Sequence, residues 1–204
     1  MIHRKSLIGL WILCFLGNSF ALGSEITRLW NVTSKSSLEI QGTTNVNSFG
    51  CLSVYENSAD MIHERWDPCS EKWEIFGSIY LGVAQFDCNN RIMNNDFRNT
   101  LNYERYPEIK VEFLNLKEVV SRGRQRKAEG WVEVTMAGSV HRYFIQSDLF
   151  FIDDRYSVLR GSHVFKFSDF GLVPPQKGFG MVRVNDEITV SFELIMEQVA
   201  FSEN

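Results

Sequence analysis

The last long run of the chain sets its pattern. Ile188, Val190, Phe192, Leu194 and Met196 alternate with Thr189, Ser191, Glu193 and Glu197, the period of two that gives a strand one apolar and one wet face. The same alternation recurs upstream. Ile109, Val111 and Phe113 alternate with Lys110 and Glu112; Val132, Val134 and Met136 with Glu133 and Thr135; His141, Tyr143 and Ile145 follow the turn at Ala137-Gly138-Ser139; and Tyr156 to Phe167 follows the turn at Asp153-Asp154-Arg155. Near the start, Leu38 and Ile40 share a face before Gly42, where a bulge or bend is expected. Thr27 to Val32 is short and mixed, Trp73 to Phe86 is rich in strand formers, and Glu56 to Ser70 reads as a surface excursion. About eight strands with short turns predict an all-β antiparallel barrel or sandwich, and a barrel is preferred because closure removes unpaired edges.

One segment departs from this period. Met93, Phe97 and Leu101 recur at helical spacing, Asn94 and Asp96 are capping types, and Pro107 bars continuation. They predict one short helix over residues 94–103, with Phe97 and Leu101 docking it over an end of the barrel.

Charge and cysteine content place the chain. A short basic start at His3, Arg4 and Lys5, an apolar run from Leu7 to Phe20, and small residues at Ser19 and Ala21 predict a secretory signal over 1–21 and a single domain over 22–204. The apolar run is too short and interrupted for a membrane span. Loss of Arg4 and Lys5 lowers Lys+Arg from 21 to 19 against 25 acidic residues, a formal charge of −6, which argues against nucleic acid and anionic membrane surfaces as partners. An oxidising compartment lets disulfides persist. Cys51 ends a strand-like run and Cys88 immediately precedes the helix, so this pair is the expected bridge, whereas Cys69 is left open.

Candidate chemistry is sparse. No Cys-x-x-Cys or His-x-x-x-His spacing supports a zinc site. His63, His141 and His163 are scattered, although 141 and 163 fall in register with apolar neighbours and are read as hydrogen-bonded interior or mouth histidines. Asp169-Phe170-Gly171 lacks the phosphate loop and paired lysine strand of a kinase and reads as a turn. Ser121 to Lys127 is a basic stretch expected at a solvated hairpin tip. Asn31-Val32-Thr33 is a glycosylation sequon, meaningful only in a eukaryotic secretory route. The 16 Phe can fill a core or line a cavity, and periodicity does not separate the two.

Taken together, Ser37-Leu38-Glu39-Ile40-Gln41-Gly42-Thr43-Thr44-Asn45-Val46-Asn47-Ser48-Phe49, the helix block from Asn90, the Tyr106-Pro107 strand, and Ser168-Asp169-Phe170-Gly171 with the Ile188 strand resemble the YceI-like family over nearly the whole mature chain. The resemblance implies a lipocalin-like barrel in an exported, periplasmic or secreted, non-enzymatic protein. It implies an interior that holds a long apolar lipid, an isoprenoid or a fatty chain, for transport or sequestration, with no cofactor and no catalytic residues. The implied ligand wall is Val111, Phe113, Val132, Val134, Tyr143, Ile145, Phe165, Val190, Phe192 and Leu194. Two features depart from the family: the cysteine-containing 56–70 excursion reads as an insertion, and Val140-His141-Arg142-Tyr143 lacks the usual Thr-Arg or Thr-Lys turn sequence. The oligomeric state is left open, a homodimer being one option. The alternative readings are a structural or stress-related envelope protein with a filled core, and an exported hydrolase.

Overall fold

The computed structural model describes residues 27–56 and 59–199. The expected signal segment, residues 1–21, lies outside them. The strands are β1 (Thr27–Val32), β2 (Ser37–Thr44), β3 (Ser48–Val54), β4 (Met61–Asp67), β5 (Lys72–Gly82) and β6 (Phe86–Asp87), followed by α1 (Arg91–Thr100). Then come β7 (Glu108–Arg122), β8 (Gln125–Met136), β9 (Ser139–Phe151), β10 (Tyr156–Lys166), β11 (Gln176–Lys177) and β12 (Val182–Gln198). All pairings are antiparallel. Eight strands close a ring in the order β1-β4-β5-β7-β8-β9-β10-β12, with Trp30 opposite Gln198 and Val32 opposite Met196 at the closing seam.

The long β12 divides the barrel into two halves. Its C-terminal end pairs with β1, but from Glu193 back to Val184 the same edge pairs with β2, which carries β3 and β6. One half is therefore walled at this seam by β1 and β4, the other by β2, β3 and β6. Just before β4 begins, Asp60 holds the seam: the buried Tyr55 hydroxyl donates to its Oδ2, and the Tyr80 backbone amide donates to the same oxygen at 2.6 Å. Burial, with this hydrogen bond second, pushes the Tyr55 hydroxyl well above its ordinary value.

The β1–β4 half is filled. Val32, Ile62, Ile75, Leu116, Leu149, Leu159 and Met196 pack inside it, each almost wholly buried. Its outer end is closed by Glu64, whose side chain is only 2 % exposed. Glu64 accepts from Arg126 Nη1 at 2.7 Å, Trp30 Nε1 at 3.2 Å and Arg28 Nη1 at 3.3 Å. The Arg126 guanidinium lies over the Phe151 ring, 4.4 Å from its centroid, and Arg28 lies over Trp73 at the same distance.

Two expectations fail here, for one reason. The 56–70 stretch is not wholly an excursion, because β4 lies within it as a full member of the ring. Its inward positions are Ile62 and Glu64, so a charged residue on the core face hid the alternation. The basic stretch 121–127 does turn at Gly123, but Arg126 points inward to Glu64 and Glu118 rather than into solvent.

The helix is shifted from its expected bounds. It begins at Arg91, capped by Asn90, whose side-chain oxygen accepts from the Ile92 and Met93 amides. Asn94, read as a cap, sits a turn further in and instead accepts from the Cys88 amide at 2.7 Å, bracing the helix entry. Asp96 is likewise not a cap: it pairs with Lys177 on β11 at 2.7 Å. Leu101 at the helix end is buried, whereas Phe97 is half-buried. A Cys51–Cys88 disulfide fixes β3 to the helix entry, and closing a loop of this length is worth about 4 kcal/mol in the chain-entropy account.

Candidate functional site

The half of the barrel bounded by β2, β3 and β6 is hollow. Inward side chains of β5, β7, β8, β9, β10, β12 and β2 line a narrow cavity with a free volume of about 90 Å³, capped by Phe86, Ile109 and Phe170. Nine of the ten residues read from sequence stand on its wall: Val111, Phe113, Val132, Val134, Ile145, Phe165, Val190, Phe192 and Leu194. Strand register explains why they meet. Val111 lies opposite Val134, and Phe113 opposite Val132, across β7 and β8; Phe165 lies opposite Ile188 across β10 and β12.

The tenth residue, Tyr143, is buried but does not line the cavity. Its hydroxyl donates to Asp169 Oδ2 at 2.8 Å, and its ring packs on His141, His163, Phe165 and Phe170. A buried phenol requires a partner, and Asp169, in the turn after β10, supplies it. Burial first and this hydrogen bond second hold the hydroxyl far above its ordinary range. The Asp-Phe-Gly sequence is thus a capping turn in which Asp169 anchors Tyr143, Phe170 roofs the cavity, and Gly171 takes a left-handed φ of 67°.

Among the described residues that line the cavity, His163 is the one polar side chain. It faces Val190 across the sheet and contacts the Tyr143 and Phe165 rings. Burial pushes its imidazole below the ordinary 6.5. The neutral ring retains one donor and one acceptor, enough to orient a single polar group on an otherwise hydrocarbon ligand. His141 lies on Tyr143 and Phe170, while His63 stacks on Phe76. Asn31 of the sequon sits in β1 with its side-chain oxygen buried.

A second apolar space adjoins the first. A groove of about 230 Å³ runs between α1 and the start of β12, lined by Phe49, Met93, Phe97, Leu101, Phe167 and Val184 and by the disulfide. Phe97 of the groove touches Phe86 of the cavity, with ring centroids 5.0 Å apart. A single layer of side chains thus separates the two spaces. Sequence reading missed the groove because its residues come from five separate segments with no shared period. It also missed Ile79, Leu81 and Phe86 as wall residues, although the alternation of Ile79 and Leu81 in β5 carried the signal.

No family model matches the sequence, and no curated protein matches it. Solved structures do. BcnA from Burkholderia cenocepacia is similar at a TM-score of 0.58 and 16% identity, over 81% of this chain and 99% of that one. A polyisoprenoid-binding domain from Saccharophagus degradans, implicated in plant cell wall breakdown, is similar at 0.57 and 9% identity, over 84% and 98%. At these identities the chain shares their fold, an antiparallel barrel of lipocalin-like shape.

Proposed function

We propose that this chain is an exported YceI-like protein that binds an isoprenoid-like or fatty lipid inside its barrel and transports or sequesters it without chemical change. The observation that carries this reading is the contrast between the two halves of one barrel. A fold built only for stability would be packed throughout, since interiors approach crystal density; here one half is filled and the other keeps a continuous apolar void. A similar structure named for polyisoprenoid binding supports the ligand class, and the disulfide supports export.

Size sharpens the reading. The cavity alone, about 90 Å³, is smaller than the ~300 Å³ at which drug-sized ligand pockets begin. A long chain therefore extends past Phe86 and Phe97 into the groove, which adds about 230 Å³. Each methylene buried on the way is worth about 0.8 kcal/mol. The same small volume favours the second reading, an envelope protein with no ligand.

Incubating the purified protein with geranylgeraniol, separating bound from free, and recovering the alcohol tests the proposal. Saturable uptake with the alcohol recovered intact is expected. Absence of uptake would favour the ligand-free reading, and conversion to a product would identify an enzyme.

A further inference from the structure

The turn between β11 and β12 is an unusual place for its residues. Phe179 is fully exposed and lies in the left-handed region with φ 54°, between Gly178 at 58° and Gly180 at 86°. A bulky side chain enters that region at a cost, and here it does so with its ring out in water rather than packed against the fold. Met181, 72 % exposed, follows it. Beside this turn stands the β2–β3 turn with Val46 exposed at its tip; Asn45 joins the two, donating through Nδ2 to the Met181 carbonyl and accepting from the Arg183 amide, both at 2.9 Å. Val173, 76 % exposed, belongs to the segment that leads into β11.

These tips edge the groove described above, whose lining includes Thr44, Asn47, Lys177 and Val182 from the same turns. Their charge is also distinctive. The chain has 25 acidic residues, yet 42–54 contains no charged residue and 171–184 contains only Lys177 and Arg183. Lys177 is paired with Asp96, and Arg183, which donates through Nε to the Gly180 carbonyl, has no ion pair among the described residues. Against the acidic balance of the whole chain, an apolar tip whose unpaired charge is Arg183, with Asp96 neutralised by Lys177, matches the headgroup boundary of an anionic bilayer.

We propose that this end of the barrel docks on a phospholipid membrane, inserting Phe179 and Met181, so that a lipid passes between bilayer and groove without crossing water. The inference rests on the lipid-binding reading and adds where the lipid is exchanged.

Flotation of the protein recovered from the exported fraction, with vesicles of phosphatidylethanolamine and phosphatidylglycerol, tests it. Wild type should float with the vesicles, and a Phe179→Ser, Met181→Ser double variant should lose at least about tenfold in partitioning, as expected when most of the inserted apolar area is removed. The variant should bind geranylgeraniol supplied without vesicles as wild type does, because neither residue lines the cavity. Wild type that stays in solution, or a variant that floats equally, overturns the docking. So does wild type that stays in solution and self-associates through Phe179 in sedimentation, which would assign the surface to a second copy of the chain. Wild type that floats but takes up no geranylgeraniol would uphold docking and defeat the lipid-binding reading instead.

Discussion

Phe86 and Phe97 meet with ring centroids 5.0 Å apart and planes tilted by 42°, one ring on the wall of the barrel cavity and the other on the wall of the external groove. On the proposed lipid-binding reading, a ligand chain passes between the two spaces at this contact. Phe97 is half-buried, so Phe97→Ala should cost about 2 kcal/mol, below the ~3–5 kcal/mol of a fully buried ring, whereas Leu101→Ala at the buried helix end should cost about 3 kcal/mol. The two variants should differ in kinetics. Phe97→Ala should release bound geranylgeraniol faster than wild type, measured by transfer to empty acceptor vesicles, and an unchanged rate would place the exit elsewhere.

The closed end depends on Glu64 keeping its cations. Arg126→Met leaves the carboxylate buried with Arg28 at 3.3 Å as its remaining cation, and removing one partner of a buried pair typically costs about 3–5 kcal/mol. Urea unfolding should show a loss of about 3 kcal/mol. A loss below ~0.5 kcal/mol would mean that Arg126 is solvated, as the basic run alone suggests.

Gly161 lies directly opposite Phe192 across β10 and β12. A methyl group on Gly161 would stand 2.4 Å from Phe192 Cζ and 3.1 Å from the Gln146 carbonyl oxygen. The missing side chain is what lets the ring lie over β10 at the base of the cavity. Gly161→Ala should destabilise by about 1–3 kcal/mol through overpacking, and Phe192→Leu in the same chain should recover part of it. Strict additivity of the two changes would deny the contact.

His163 gives the fold a pH dependence. Its folded pKa lies below the 6.5 of the free side chain, so as pH falls through 6.5 the unfolded chain takes up a proton that the folded chain does not, and stability declines. Above that range the group contributes no pH dependence. His163→Phe should therefore flatten the decline in melting temperature between pH 7.5 and pH 5, a window set around that ordinary value. An unchanged decline would attribute it to other groups.

Much of this architecture is legible in the sequence because period-two alternation is a direct record of which face is buried. β8 shows it along its whole length and β7 and β12 show it over 109–113 and 188–196, whereas the choice of ten of these inward residues as a ligand wall comes from the family resemblance. The helix is legible from Phe97 and Leu101, but its start is not, since Asn90, Asn94 and Asp96 are all capping types and only the backbone decides among them. β4 is obscured because its core-facing Glu64 breaks the apolar pattern, and Arg126 is obscured because a charge in a hairpin normally faces water. The division into a filled and a hollow half leaves no trace in the alternation. Leu116 and Phe113 occupy the same strand and the same kind of position, yet one packs solid and the other faces the void, because it is the change from β1 and β4 to β2, β3 and β6 along β12 that sets the interior width.

The most direct measurement is native mass spectrometry of the protein recovered from the exported fraction, beside its Phe192→Asp variant. A charge at that position must be buried uncompensated or neutralised, either at a cost of several kcal/mol, so the variant should lose both stability and ligand. Wild type should carry an added mass that denaturation releases as an isoprenoid-like or fatty lipid, absent from the variant. Wild type that flies at the mass of its bare chain, and stays there after incubation with geranylgeraniol, would contradict the account.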